Sequence, residues 1–332
     1  MEANKKIKSK KSKVISLIFL LLVALIIIFI LIFAIGIYGF NWQDSFTKKV
    51  SQIVPYPSAL VNYKFLSYHD FLEDKETLSY YYENMPVVET NQAKPNNREI
   101  NQLSISRLIK NEFLRQEAKD YDLNVTDLEL EQEMQKIINQ SESKQGVEDI
   151  LKEIYNWQPE DFKENVLRYY LLRSKLQDAL VADENLSVNK QAKEKADEVL
   201  EKVNNEEKSF ENLAKEYSED DTASQGGYLG FFSQGEMVSE FEQAAMALEE
   251  DETSGLVKTE FGYHIIKLLS KKGEGEDLEL EASHILIKTA NIDTYINQEI
   301  KKARIYVFLK DIKWDKELGS ASLPGVNTNT NQ

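Results

Sequence analysis

The residues able to do chemistry are few: three histidines, no cysteine, and an acidic loop around Asp220. With no cysteine, no histidine pair at ligand spacing and no phosphate-binding loop, neither a metal nor a nucleotide site is visible, and no cofactor is expected. His264 sits in the apolar run Tyr263 to Leu269, and His284 in the run Glu281 to Thr289. Their midpoint is residue 274, inside Gly273-Glu274-Gly275, a tight-turn sequence. A simple antiparallel hairpin about that point puts the two imidazoles directly opposite, with Cβ atoms roughly 5 Å apart. The same register sets Lys267 against Glu281 and Lys271 against Asp277. Taken singly, a histidine on a strand is usually structural, and Asp220, within Glu219-Asp220-Asp221, reads as a solvated loop carboxylate. His69 has no partner pattern and reads as a surface or cap residue.

The elements that must position these groups lie between Ser209 and Lys272. Phe210, Leu213, Ala214 and Tyr217 form a helical stripe that runs into a polar loop and a Gly226-Gly227 turn. The apolar patch Leu229-Gly230-Phe231-Phe232 follows. Phe241, Ala244, Ala245 and Leu248 mark a second helix, and after Ser254-Gly255 two β-rich runs flank the turn Glu260 to Gly262. The pattern predicts an α+β unit of about a hundred residues with a small antiparallel sheet.

These residues closely resemble the parvulin family of peptidyl-prolyl isomerases. The resemblance is carried by Tyr217-Ser218-x-Asp220, Gly226-Gly227-x-Leu229-Gly230-x-Phe232 and Gly235-x-Met237, then by Phe241, Ser254-Gly255 and Thr259-x-Phe261-Gly262-Tyr263-His264-Ile265-Ile266. It implies an FKBP-like fold and rotation about X-Pro bonds, whose barrier near 20 kcal/mol comes from partial double-bond character. No covalent step is needed. An apolar seat for the proline ring and a poorly solvated, hydrogen-bonded environment for the twisting amide suffice. By resemblance the substrate-binding residues are Leu229, Met237, Phe241 and Phe261. Thr259, His264 and His284 form the polar floor, and Asp220 stands beside the twisting carbonyl. Tyr228 departs from the family, which carries Asp or another polar residue there.

The family's first strand, a His-containing run that should precede the helix Gln191 to Val203, is missing from its place. Glu281 to Thr289 looks like that strand, so the isomerase domain is read as circularly permuted, spanning 186–290. The competing reading is a second parvulin domain beginning at Ala282.

Residues 1–13 are a basic tail, and 14–38, uncharged throughout, are long enough to cross a bilayer core of about 30 Å. Lysines 5, 6, 8, 10, 11 and 13 against the single acid Glu2 keep the N-terminus cytoplasmic, so the expected address is a single-pass membrane protein with its bulk outside the cell. A cleaved signal peptide is the alternative. The formal net charge is −16, or about −21 once the basic tail is set aside, which argues against nucleic acid as partner.

Residues 39–58 read as a linker with Pro55 and Pro57, and Leu60 to Leu66 as a short strand before a helix capped by Ser67. Met85 to Asn97 is a loop. From Arg98 to Ala182 the pattern is helical, with a capping box at Thr126–Glu129 and Pro159 opening a long helix. Residues 59–185 resemble the helical chaperone domain of the extracytoplasmic parvulin foldases, the SurA, PrsA and PpiD kind. Residues 291–314 are expected as a helix that returns to this domain, and 315–332 as a disordered tail. The expected function is a membrane-anchored peptidyl-prolyl isomerase and chaperone acting on unfolded exported chains. A tethered holdase with an inactive parvulin module, and an adaptor for an envelope complex, are the alternatives.

Overall fold

A proline-free apolar run favours helix, and α1 spans Glu2–Phe40 in the computed structural model, which describes residues 2–85, 93–141, 143–206, 208–273 and 275–323. Its Leu17–Phe40 segment, with mean hydropathy 3.7, is long and apolar enough to cross a membrane. The helix ends where the Trp42 N–H donates to the Gly36 carbonyl (3.0 Å) and Lys310 Nζ donates to the Gly39 carbonyl. The Trp42 ring lies so close over Gly36 that a Cβ there would come within 2.2 Å of it.

The helices that follow are α2 (Ser45–Ile53), α3 (Tyr68–Asn84), α4 (Asn97–Asp120), α5 (Asp127–Gln140), α6 (Lys144–Ile150) and α7 (Pro159–Phe162), with hairpin strands β1 (Pro57–Val61) and β2 (Lys64–Ser67) before α3. Then come α8 (Arg168–Ala182), α9 (Ser187–Asn204), α10 (Phe210–Tyr217), β3 (Tyr228–Ser233), α11 (Ser239–Ala247), β4 (Val257–Thr259), β5 (Gly262–Lys272), β6 (Glu279–Lys288) and α12 (Ile292–Glu299). Three short strands, β7 (Ile305–Val307), β8 (Lys313–Asp315) and β9 (Ser320–Ser322), follow. The chain forms two compact units: Met1–Arg115, Asp127–Leu167 and Glu299–Gln332 in the first, Gln116–Thr126 and Arg168–Gln298 in the second.

In the first unit Ser67 caps α3, its Oγ accepting from the Asp70 N–H at 2.9 Å, and Pro159 opens α7 as expected. Five expectations need correction. The single strand expected over Leu60 to Leu66 is divided between β1 and β2, which turn at Asn62 and pair antiparallel. The 39–58 linker contains α2, whose buried face is Thr47, Val50 and Ser51, a half-polar stripe that counting apolar residues overlooks. The long helix from Pro159 is interrupted by a π-helical turn at Lys163–Leu167, and α6 likewise runs into one at Leu151–Tyr155. The helix expected over 291–314 stops at Glu299. Ile305, Tyr306 and Val307 alternate inward and outward with period two, and β7 pairs with β1 (Val61↔Ile305, Ala59↔Val307), completing a sheet of order β2-β1-β7. The C-terminal segment therefore returns to the helical unit as a strand. Within the expected disordered tail, β8 pairs with β9 and Ala321 is fully buried; residues 324–332 of that tail, and 86–92 of the expected loop, lie outside the described residues.

The second unit holds an antiparallel sheet of order β3-β6-β5-β4. Its inner strand β6 is the last of the four in the sequence and pairs with both β3 and β5. The first strand is thus supplied from the C-terminal side, and Ala282 does not open a second domain. Helices α9 and α10 cover one face through Ala196, Val199, Leu213 and Ala214 against Ile265, Ile285 and Ile287. Helix α11, through Phe241 and Ala245, and Leu248 just after it cover the other against Ile266, Leu268 and Ala282.

The hairpin register differs from the simple one. Ile266 faces His284, His264 faces Leu286, Lys267 faces Ser283 and Lys271 faces Leu280. The connection is wider than a tight turn, with Lys272 facing Glu279 and a 3₁₀ turn at Gly275–Asp277, and a bulge between Leu268 and Ser270 adds a residue to β5. Glu274, the expected centre of the turn, lies outside the described residues.

Candidate active site

The site is built by two segments that grip β6. After α10, the Ser218 Oγ accepts from the Leu286 N–H (3.1 Å) and the Glu219 N–H donates to the Leu286 carbonyl (2.8 Å), which brings Asp220 alongside the strand. Asp220 then caps the 3₁₀ turn Asp221–Gln225, accepting from the Thr222 backbone N–H at 3.0 Å and hydroxyl at 2.5 Å. That turn closes on Gly226 and Gly227, both at positive φ. Gly227 accepts from the His284 N–H (2.8 Å), and a Cβ at Gly227 would lie 1.9 Å from the His284 carbonyl oxygen. Only glycine lets the turn approach this closely.

His264 and His284, both buried, stack with ring centroids 5.3 Å apart and Nδ1 to Nδ1 at 3.1 Å. His264 Nε2 lies 2.8 Å from Thr259 Oγ1, which also accepts from the Phe261 N–H. His284 Nε2 lies 3.2 Å from Asp220 Oδ2 and 3.3 Å from Thr222 Oγ1.

Partial burial works against ionisation of Asp220, but the two Thr222 bonds and His284 outweigh it and hold the carboxyl down at about 2. Burial, with His284 beside it, lowers His264 to about 3. Burial also lowers His284, against the pull of Asp220. At neutral pH Asp220 is therefore charged and both imidazoles are neutral. An ionised carboxylate only accepts, so His284 carries its proton on Nε2 and its Nδ1 accepts. His264 must then donate through Nδ1 and accept at Nε2 from the Thr259 hydroxyl. The chain of donors runs one way, Thr259 to His264 to His284 to Asp220. Each ring nitrogen is occupied by it, so neither imidazole is placed to shuttle protons, whereas the Asp220 side chain is 29% exposed.

The structure thus joins Asp220, Thr259, His264 and His284 in a single hydrogen-bonded chain. Phe241 sits edge-on to both imidazoles at 5.3 and 5.7 Å and is 3% exposed, while Leu229 and Met237 are half-buried against the same cluster. Phe261 is apart from these: the residue is 53% exposed, and its backbone N–H is what reaches Thr259. Sequence reasoning missed Thr222 and the grip of Ser218 on β6. Asp-x-Thr at 220–222 is a turn-forming signal that points to the first; nothing local points to the second.

Two family models match this chain. A SurA-like N-terminal domain matches residues 5–177, more than half of it, and a PPIC-type PPIase domain matches 179–270. The chain belongs to the parvulin-type foldases. The second match ends before β6, in keeping with the strand's displaced position. Among similar proteins, foldase protein PrsA 1 of Bacillus cereus is 38% identical over 165 residues, covering 44% of this chain and 58% of that one. Foldase protein PrsA of Bacillus subtilis is 42% identical over 127 residues, covering 36% and 43%. The chain thus spans about half the length of these relatives. A crystal structure of peptidylprolyl isomerase (PrsA) from Bacillus cereus aligns at 24% identity over 65% of this foldase and 82% of that chain, with a TM-score of 0.23.

Proposed function

We propose that this foldase catalyses cis-trans isomerisation of X-Pro bonds in unfolded, exported chains while anchored in the cell membrane by α1, its N-terminus cytoplasmic and its bulk outside. The observation that carries the reading is the one-way hydrogen-bonded chain from Thr259 to Asp220 beside the half-buried Leu229 and Met237. Leu229 and Met237 seat the proline ring above Phe241, and exposed Phe261 flanks the substrate. In a planar amide, conjugation places partial negative charge on the carbonyl oxygen; twisting removes it. A fixed carboxylate beside that oxygen disfavours the planar form more than the twisted one, and each 1.4 kcal/mol or so of such a difference is worth about tenfold in rate. The neutral histidines hold Asp220 ionised without offering a competing charge. The basic residues before Leu17 support the cytoplasmic N-terminus, and the net charge of −16 suits protein clients over nucleic acid.

The test is a prolyl isomerisation assay on the full chain in lipid nanodiscs. Acceleration of X-Pro peptides supports the reading; client binding without turnover replaces it with a tethered holdase.

A further inference from the structure

The end of α1 is not free of the body it carries. The Tyr56 hydroxyl donates to the carbonyl of Ile30 at 2.8 Å, Tyr38 Oη donates to the Pro57 carbonyl, and Phe33 and Ile37 are buried. Phe46, in the first turn of α2, packs its ring 5.7 Å from that of Phe33, and the Trp42 ring meets Phe33 at the same distance. The base of the first unit therefore lies along the last quarter of α1, not beyond it.

Depth along the helix follows from its geometry. A core of about 30 Å takes roughly 20 residues at about 1.5 Å each. If it begins at Val14, directly after the last lysine of the tail, it ends near Phe33. Phe46 and Trp42 are then level with the outer boundary of the hydrocarbon. The outward face of α2 fits that level. Phe46 (60% exposed), Lys49 and Ile53 (83% exposed) share one side of the helix, adjoining the buried stripe of Thr47, Val50 and Ser51, and Phe40 at the end of α1 is 71% exposed. Large apolar side chains held out with a lysine between them suit a boundary where the rings and isoleucine enter the acyl region and the lysine reaches back to headgroups.

Resting on the reading that α1 spans the membrane, we infer that α2 is an interfacial helix whose Phe46–Ile53 face, with Phe40 and Trp42, lies in the outer leaflet, so that the lipid surface is a second attachment site of the folded body. The body is then seated on the membrane in a fixed attitude, where a flexible linker would have let it swing.

The absence of native cysteine makes the test direct. Leu25→Cys, within the span, and Ile53→Cys are each labelled with bimane in the full chain and reconstituted in phosphatidylcholine vesicles containing nitroxide-labelled lipid. The expected result is quenching of both labels by the lipid nitroxide, and several-fold weaker quenching of the Ile53 label by aqueous iodide than of free bimane. Quenching of the Leu25 label alone, with the Ile53 label open to iodide, keeps the span and overturns the interfacial helix. Loss of lipid quenching at Leu25 overturns the span and the inference with it.

Discussion

His264 and His284 meet diagonally across β5 and β6, with Nδ1 atoms 3.1 Å apart, because His264 stands opposite Leu286 and His284 opposite Ile266. A two-residue change of register keeps every side chain on its face, so the pair still forms, and the diagonal offset lets the rings stack instead of colliding.

That register is open to a crosslinking test. Lys272→Cys with Glu279→Cys, directly opposed beyond the bulge, is expected to form a disulfide within one molecule. Lys271→Cys with Asp277→Cys, opposed only in the simple hairpin, is expected to form it poorly. The reverse order under mild oxidation would restore the unbulged register.

The apolar residues of the site divide by burial. Met237→Ala removes a half-buried side chain and should lower kcat/KM for X-Pro peptides by tenfold or more with little change in stability. Phe241→Ala, at 3% exposure, should cost about 3–5 kcal/mol on urea unfolding. Equal loss of stability in both variants would return Met237 to the core.

Glycines at 227 and 230 both have positive φ but different surroundings. A Cβ at Gly227 meets the His284 carbonyl, whereas one at Gly230 has nothing within 4 Å. Gly230→Ala should cost about 1–2 kcal/mol of backbone strain. Gly227→Ala should cost more and displace β6, with loss of isomerisation. Comparable unfolding midpoints for the two would show that the turn does not position His284.

Stability should fall as the solution becomes more acid than about pH 6.5. In that range the unfolded chain protonates His264 while the folded chain, with this imidazole lowered to about 3, does not, so the unfolded state binds more protons. At pH 5 the loss from this one residue is about 2 kcal/mol. His284 adds a loss of the same sign, and Asp220, held at about 2, adds another below about pH 4. Urea midpoints at pH 5 and 7.5 measure it, and His264→Asn should flatten the difference. Stability that holds or rises toward pH 5 would mean the imidazoles are charged in the fold and the donor order is wrong.

Truncation separates the units. Ending the chain after Gly275 removes β6 and should leave the second unit unfolded or molten. Ending it after Gly319 removes β9, where the Ala321 N–H donates to Ser106 Oγ and its carbonyl accepts from Gln102. That deletion should lower the stability of the first unit and leave peptide isomerisation unchanged. Hydrogen exchange of the two units distinguishes the outcomes.

The sheet was legible from its apolar patterning, and its permuted order and the grouping of Asp220, Thr259, His264 and His284 from the resemblance of their motifs, in type and order, to those of the parvulin family. The register was not, since it depends on a bulge at Leu269 and a wide connection whose geometry no residue type dictates. The C-terminal strands were hidden for a different reason: Ile300, Ala303 and Val307 recur at helical spacing, and only pairing with β1, distant in sequence, makes Ile305–Val307 extended. Phe261 follows the motif in identity, yet its turn sends the ring outward and leaves only the backbone to serve Thr259.

The position of β6 in chain order also sets a schedule. In the proposed topology the polypeptide emerges from its anchored end outward, so β3, β4 and β5 would reach the far side before β6 does. Among the described residues strand β3 pairs only with β6, and Asp220 has no imidazole beside it until His284 arrives. In that topology the sheet of the second unit is completed from its middle by the last of its strands to arrive, and the pairing of Asp220 with His284 is made last.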